Sequence, residues 1–176
     1  MIQAYASQTM FSSPPRMTSK TYVNEEYGFR FEPPRGWMVK DDHSEGITLA
    51  PNKGNSMLGV FAFELPPEMY TMLDNNEKKK FEKIIRSMAN MHGIEKTSTP
   101  KFIYYDDGVR ATFSILGATE INGEKTPMKG RITIWISYDN HKIYFMMYGS
   151  DKSSYKTHLQ MLQAAEKSFY VFPILD

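Results

Sequence analysis

The chain has no cysteine among its 176 residues. That absence excludes a thiol nucleophile, a dithiol redox pair and any zinc site built on cysteine. Neither sign of charge is in excess: 21 Lys and Arg stand against 20 Asp and Glu. A near-balanced chain lacks the cationic footprint with which proteins neutralise phosphate backbones, so nucleic acid is not an expected partner. Nowhere does an apolar run approach the roughly 20 residues a transmembrane helix needs. Also absent are a Walker loop, a GxGxxG turn, a GxSxG elbow and an HExxH helix, which removes the usual signatures of phosphate binding, dinucleotide binding, acyl transfer and zinc hydrolysis.

The length suits one domain with a proper core that needs no disulfide or structural metal. Residues 1–20, MIQAYASQTMFSSPPRMTSK, are rich in Ser, Thr, Pro and Gln without apolar periodicity and read as a flexible leader; the domain is expected over 21–176. Strand character begins at once. Tyr27, Phe29 and Phe31 alternate with Gly28, Arg30 and Glu32, and Pro33, Pro34 and Gly36 then impose a turn before Trp37 to Lys40, which predicts a hairpin. Asp41 to Gly46 reads as a polar turn and Ile47 to Ala50 as a short strand. Met57 to Leu65 is apolar on both faces, the mark of a strand central to a covered sheet.

Pro66 and Pro67 end that strand and open a helical region. Phe81, Ile84, Ile85 and Met88 fall at i, i+3, i+4 and i+7 with lysines elsewhere around the barrel, and His92-Gly93 suits a helix end. Strands are then expected at Lys101 to Tyr105, Val109 to Leu116, Gly130 to Tyr138 and Lys142 to Tyr148, joined by turns at Asp106-Asp107-Gly108, Asn122-Gly123 and Asp139-Asn140-His141. A last helix starts near Asp151 to Ser154 and buries Tyr155, Leu159, Leu162, Ala165 and Phe169. Short hairpins exclude a doubly wound parallel sheet, whose neighbours need long crossovers. The class is α+β, an α/β/α sandwich with a central, mainly antiparallel, twisted sheet.

Few residues are left over for chemistry. His43, His92, His141 and His158 fall in turns, at a helix end and on a helix, with no pair at ligand spacing, and read as solvated. Thirteen methionines are unusual, and Met69-x-x-Met72 and Met88-x-x-Met91-His92 place thioethers on one helical face, a soft donor set for Cu(I). Core filling by adaptable methionine is the simpler reading, since Met88 continues the apolar stripe. Asp41, Asp42, Glu45, Asp106 and Asp107 match no EF-hand loop and read as turn residues. Lys78-Lys79-Lys80, flanked by Glu77 and Glu82, reads as a solvated helix face. No catalytic, cofactor-binding or metal residue is assigned, and no cofactor is expected.

Tyr22-x-Asn24, Tyr27-Gly28-Phe29-x-Phe31 and Pro34-x-Gly36-Trp37 together resemble the opening of PsbP-like domains. The order of the remaining elements agrees, from Thr21 to about Val171. That family includes the extrinsic PsbP protein of photosystem II, Ran-binding Mog proteins and many small bacterial exported proteins or lipoproteins. The resemblance implies the α/β/α fold. With no catalytic signature, the chain is expected to be a non-catalytic binding or accessory module with an unidentified protein or small-ligand partner, and its leader and lack of cysteine look more like the bacterial exported members, an expectation of a place outside the cytoplasm with a lipid anchor or export signal upstream. A cytoplasmic location stays open. So do two other readings: an enzyme whose site is assembled from scattered polar residues, and a methionine-based Cu(I) binder.

Overall fold

The computed structural model describes residues 21–69, 79, 82–84, 94–121 and 124–174. These residues include eleven strands and one long helix: β1 Tyr22–Asn24, β2 Phe29–Phe31, β3 Trp37–His43, β4 Gly46–Pro51, β5 Ser56–Glu64, β6 Ile94–Thr97, β7 Lys101–Tyr105, β8 Gly108–Ile121, β9 Glu124–Ser137, β10 Lys142–Asp151, α1 Tyr155–Ser168 and β11 Tyr170–Val171. Eight strands form the central sheet in the order β3-β4-β5-β10-β9-β8-β6, with β7 also on β8, and β1-β2-β11 form a small second sheet. The described pairings are antiparallel, as the hairpin signals require.

Strand registers assign the two faces of the central sheet. On the inner face, Ile47 and Leu49 of β4, Leu58, Val60 and Ala62 of β5, and Tyr144, Met146 and Tyr148 of β10 lie side by side. They are buried in one core together with Trp37, Leu162 and Ala165, and with Tyr22, Phe29 and Phe31 of the small sheet. Helix α1 and the small sheet thus form a single layer over β4, β5 and β10. On the outer face, Val109, Ala111, Phe113, Ile134, Ile136 and Ile143 make a second core with Leu65 and Met69, joined by the partly buried Ile84, Phe102 and Tyr104. Residues 67–69 and 82–84, which bring Met69 and Ile84 there, are helical. Apolar burial on the inner face seats β4, β5 and β10, and Ile143 carries β10 into the outer core as well.

The predicted first helix falls largely outside the described residues: Phe81, Ile85, Met88 and the end at His92-Gly93 all do, while Ile84 packs in the outer core. The Asn122-Gly123 turn is also outside them, yet Ile121 pairs with Glu124 across it. β8 and β9 run five or six residues further toward that turn than predicted, because the ladder continues unbroken through Gly117, Ala118 and Pro127 despite their poor strand propensity.

One expected pairing is corrected. Tyr27 to Phe31 and Trp37 to Lys40 are not a hairpin: β2 pairs with β1 and β11, and β3 pairs with β4. Pro33 and Pro34 supply no N–H to a ladder, and the Trp37 N–H closes on the Pro34 carbonyl at 3.2 Å, so the chain turns from one sheet into the other. β2 finds its partner upstream instead. Asn24 Oδ1 accepts the Tyr27 N–H at 2.9 Å, and Gly28 holds φ at +66° with Phe172 donating to its carbonyl. Asp41, Asp42 and His43 likewise lie on β3, beside a register shift between Val39 and Asp41, and not in a turn.

Candidate functional surfaces

Among the described residues, the outer face is covered over β8 and β9 but not over its other half. Met38, Met57, Phe63 and Met147 are 43%, 56%, 46% and 39% exposed. Register puts all four on that face: Met38 opposite Ala50, Met57 opposite Gly149, Phe63 opposite Ile143, and Met147 opposite Gly59. Phe61 and Phe145, themselves a cross-strand pair, are half-buried between them, and the Phe63 and Phe145 rings meet edge to face at 5.9 Å. The result is a shallow field of thioethers and rings on β5 and β10, with Met38 of β3 beyond Ala50 of β4. Single exposed apolar residues are ordinary; a contiguous group of them on a rigid sheet is not.

The inner face carries the polar groups. Thr133 and Glu166 are buried, and Glu166 Oε1 accepts from both Arg131 Nη2 and Thr133 Oγ1 at 3.0 Å. Glu166 lies four residues after Leu162, so it falls on the buried stripe of α1, and Arg131 and Thr133 answer its charge from β9. Its place on that stripe was readable in the spacing, although the sequence alone does not name its partners. Further along, Ser56 Oγ lies 2.7 Å from Ser150 Oγ and 2.6 Å from His158 Nδ1, and the Trp37 ring stands edge-on to that imidazole. His158 is therefore a packed histidine and not the solvated one expected. A serine beside an imidazole has the outline of an activated nucleophile, but Ser56 and Ser150 are both buried. The trio joins β5, β10 and α1.

Beyond the start of α1, an open cavity of about 300 Å³ is lined by Ser98, Ser114, Ile115, Leu116, Lys129, Gly130 and Tyr155. The Lys129 ammonium sits 5.8 Å from the centre of the Tyr155 ring. Ser114 donates its N–H to Ser98 Oγ at 2.8 Å. Register places Arg131 directly opposite Ser114.

Burial sets the titration of the core phenols. Tyr22 and Tyr144 are pushed up to about 12 by loss of hydration, and Tyr148 is raised for the same reason. The Tyr144 hydroxyl donates to the Tyr27 carbonyl at 2.9 Å and receives the Asn140 amide at 3.1 Å. Burial also raises Asp42, while bonds from Ser153 and Ser154 lower Asp151 at the start of α1. Asp151 accepts the Ser154 N–H at 2.8 Å, so it and not Ser154 supplies the side-chain acceptor there.

The residues singled out in the sequence do not converge. His43 pairs with Asp41 at 2.8 Å on exposed β3, and His141 occupies a turn at φ +50°. Asp41, Asp42 and Glu45 lie at the β3–β4 edge, whereas Asp106 and Asp107 lie at the opposite end of the strand order. Among the described residues no three His, Asp or Glu side chains are grouped to hold a metal ion. Met69 is buried in the outer core; Met72, Met88, Met91 and His92 lie outside the described residues, as do Lys78 and Lys80. No helix among the described residues is long and apolar enough to cross a membrane.

No family model matches the chain, and no curated protein matches it in sequence. Solved structures do match in shape. The cyanobacterial PsbP (CyanoP) of Synechocystis sp. PCC 6803 is 13% identical, with 95% of this chain covering 98% of that one at a TM-score of 0.53. Mog1p, a Ran-binding protein of Saccharomyces cerevisiae, is 7% identical over 83% of this chain and 91% of its own, at 0.49. LpqN of Mycobacterium tuberculosis, involved in cell envelope biogenesis, is 10% identical over 82% and 83%, at 0.48. Identities this low speak to architecture alone. The overlap with the cyanobacterial structure, spanning nearly the whole of both chains, gives this chain the PsbP-like fold.

Proposed function

We propose that this chain is a non-catalytic binding or accessory module that holds a partner protein against the exposed methionine and phenylalanine side chains on one half of its central sheet. The observation that carries the reading is the shared exposure of Met38, Met57, Phe63 and Met147 on one face. Such a surface leaves water-exposed apolar area that a partner's apolar face removes, at about 25 cal/mol per Å² buried. Unbranched thioether side chains repack against differently shaped partners at little cost, while the strands beneath stay rigid. The Ser56–His158 pair lacks the access that acyl transfer needs, since its serine oxygen is buried between sheet and helix.

The reading extends to organisation and place. Residues 1–20 act as a tether, residues 21–176 fold as one domain, and the module works outside the cytoplasm, held near a membrane by an anchor or signal upstream. The Ser, Thr, Pro and Gln content of the tether supports this. Fractionation of cells carrying the full native gene tests the location, and recovery in the cytosolic fraction would count against it.

The contact surface is tested with the double variant Met57→Asp/Phe63→Asp. Both positions are exposed, so its melting temperature should match the parent within a few degrees. A protein that co-purifies with the parent, and rebinds it when both are pure, should bind the double variant at least about tenfold more weakly. Unchanged binding by the variant would remove the proposed surface.

A further inference from the structure

We infer that the cavity between the start of α1 and the β8–β9 ladder is a carboxylate-binding site, separate from the apolar field on the opposite sheet face. Its wall supplies donors without matching acceptors. Lys129 is exposed, and among the described residues no carboxylate pairs with it; its ammonium instead lies over the Tyr155 ring. Ser98 Oγ accepts the Ser114 N–H, which leaves the Ser98 hydroxyl proton to be given elsewhere, and the Ser114 hydroxyl is itself exposed. The β8 and β9 carbonyls that would balance these donors are taken up by the ladder.

A cavity with this lining suits an acceptor-rich anion. Its floor and side add a second requirement. Leu116 and Ile115 line the cavity and the Tyr155 ring lies beside the ammonium, so the best-matched ligand places a carboxylate at Lys129 and the serine hydroxyls and an apolar body on the ring. A volume of about 300 Å³ admits a small organic acid or the last residue of a peptide, and not a nucleotide or a folded element. Arg110 and Lys101 project from the same face of the sheet further along β8 and β7, with register placing Arg110 opposite Trp135 and Lys101 opposite Thr112. Glu166 is buried and spends its charge on Arg131 at 3.0 Å, which leaves Lys129 as the charged side chain in the lining of the cavity. None of these residues belongs to the Met57 and Phe63 surface, so the site stands or falls by itself.

The probes are benzoate, benzamide, inorganic phosphate, and a short apolar peptide with either a free or an amidated C-terminus. They are titrated into the full chain while the backbone amide resonances of residues 114–116, 129–131 and 155 are monitored. Benzoate or the free-carboxylate peptide should shift these amides saturably. Benzamide and the amidated peptide should bind at least about tenfold more weakly, as should benzoate to Lys129→Gln. Affinity should fall as salt is raised. Tighter binding of the peptide identifies a chain-terminal carboxylate as the natural source, and tighter binding of benzoate a small acid. Equal binding of benzamide, equal binding of phosphate, an unaltered affinity in a folded Lys129→Gln, or no saturable shift would each overturn the inference.

Discussion

Leu58 and Met57 are neighbours on one strand with opposite fates. Leu58 is fully buried in the inner core, and Met57 faces outward among the exposed side chains. Truncation therefore separates them. Leu58→Ala should lose about 2–5 kcal/mol of unfolding free energy through lost burial and an unfilled cavity, whereas Met57→Ala should change it by no more than about 0.5 kcal/mol, both read by urea denaturation. Alternation along the strand made this assignment legible in the sequence, because period two puts Leu58, Val60 and Ala62 on one side. What alternation does not convey is which side has a covering layer. Met57, Phe63 and Met147 are as apolar as the residues that pack, so their exposure depends on how far the layers extend and not on their own chemistry. The glycine of the opening motif has a clearer local cause. A Cβ at Gly28 would stand 2.6 Å from the Phe172 carbonyl, at a backbone φ of +66°, so both space and conformation require glycine there.

Helix α1 is anchored at its C-terminal end. Phe169 stacks on Trp135 at 4.2 Å, meets Phe29 at 5.7 Å and closes on the edge of Tyr144 at 5.9 Å, so one ring joins the helix, the central sheet and the small sheet. Ser168 Oγ accepts the Glu32 N–H and donates to the Ala165 carbonyl, both at 2.8 Å. Phe169→Ala should cost about 3–5 kcal/mol and shift Trp135 emission to longer wavelength as water reaches the indole, measured together in one denaturation series. A loss below about 1 kcal/mol would mean that the helix is anchored elsewhere. The stripe Tyr155, Leu159, Leu162, Ala165 was plain from its spacing, and so were the β7–β8 and β9–β10 hairpins from Asp-Gly and Asp-Asn turns. The pairing of β2 was not. A proline-rich turn between two apolar segments looks local, but its missing N–H groups prevent the ladder, and the true partners β1 and β11 are set by the Asn24 turn and by a strand about 140 residues later.

In the molecule as a unit, the described residues make a sheet with a core on each face and an outer face bare over one half. The buried phenols tie its stability to alkaline pH. Tyr22 and Tyr144 titrate near 10 when unfolded and about 12 when folded. Their contribution is thus fully present below pH 10 and is lost as pH rises from 10 through 12, because the unfolded chain releases those protons first. Denaturation midpoints should fall over that interval, and more gently in Tyr22→Phe; an equal fall in the variant would leave burial of Tyr22 without effect on stability. The polar site was the least legible part of the sequence. Ser98, Ser114, Lys129 and Tyr155 come from four separate parts of the chain, and no spacing rule links them.

The functional reading rests on the bare half of the outer face, and adjacent methionines on β10 test it directly. Met146 is buried and Met147 exposed. Dilute hydrogen peroxide treatment with mass spectrometry reports the oxidation rate of each thioether in the folded chain. Met38, Met57 and Met147 should oxidise at rates near that of a free peptide, with Met146 at least about tenfold slower. Protection of Met57 and Met147 equal to that of Met146 would show that this face is covered, and would contradict its use as a surface for a partner.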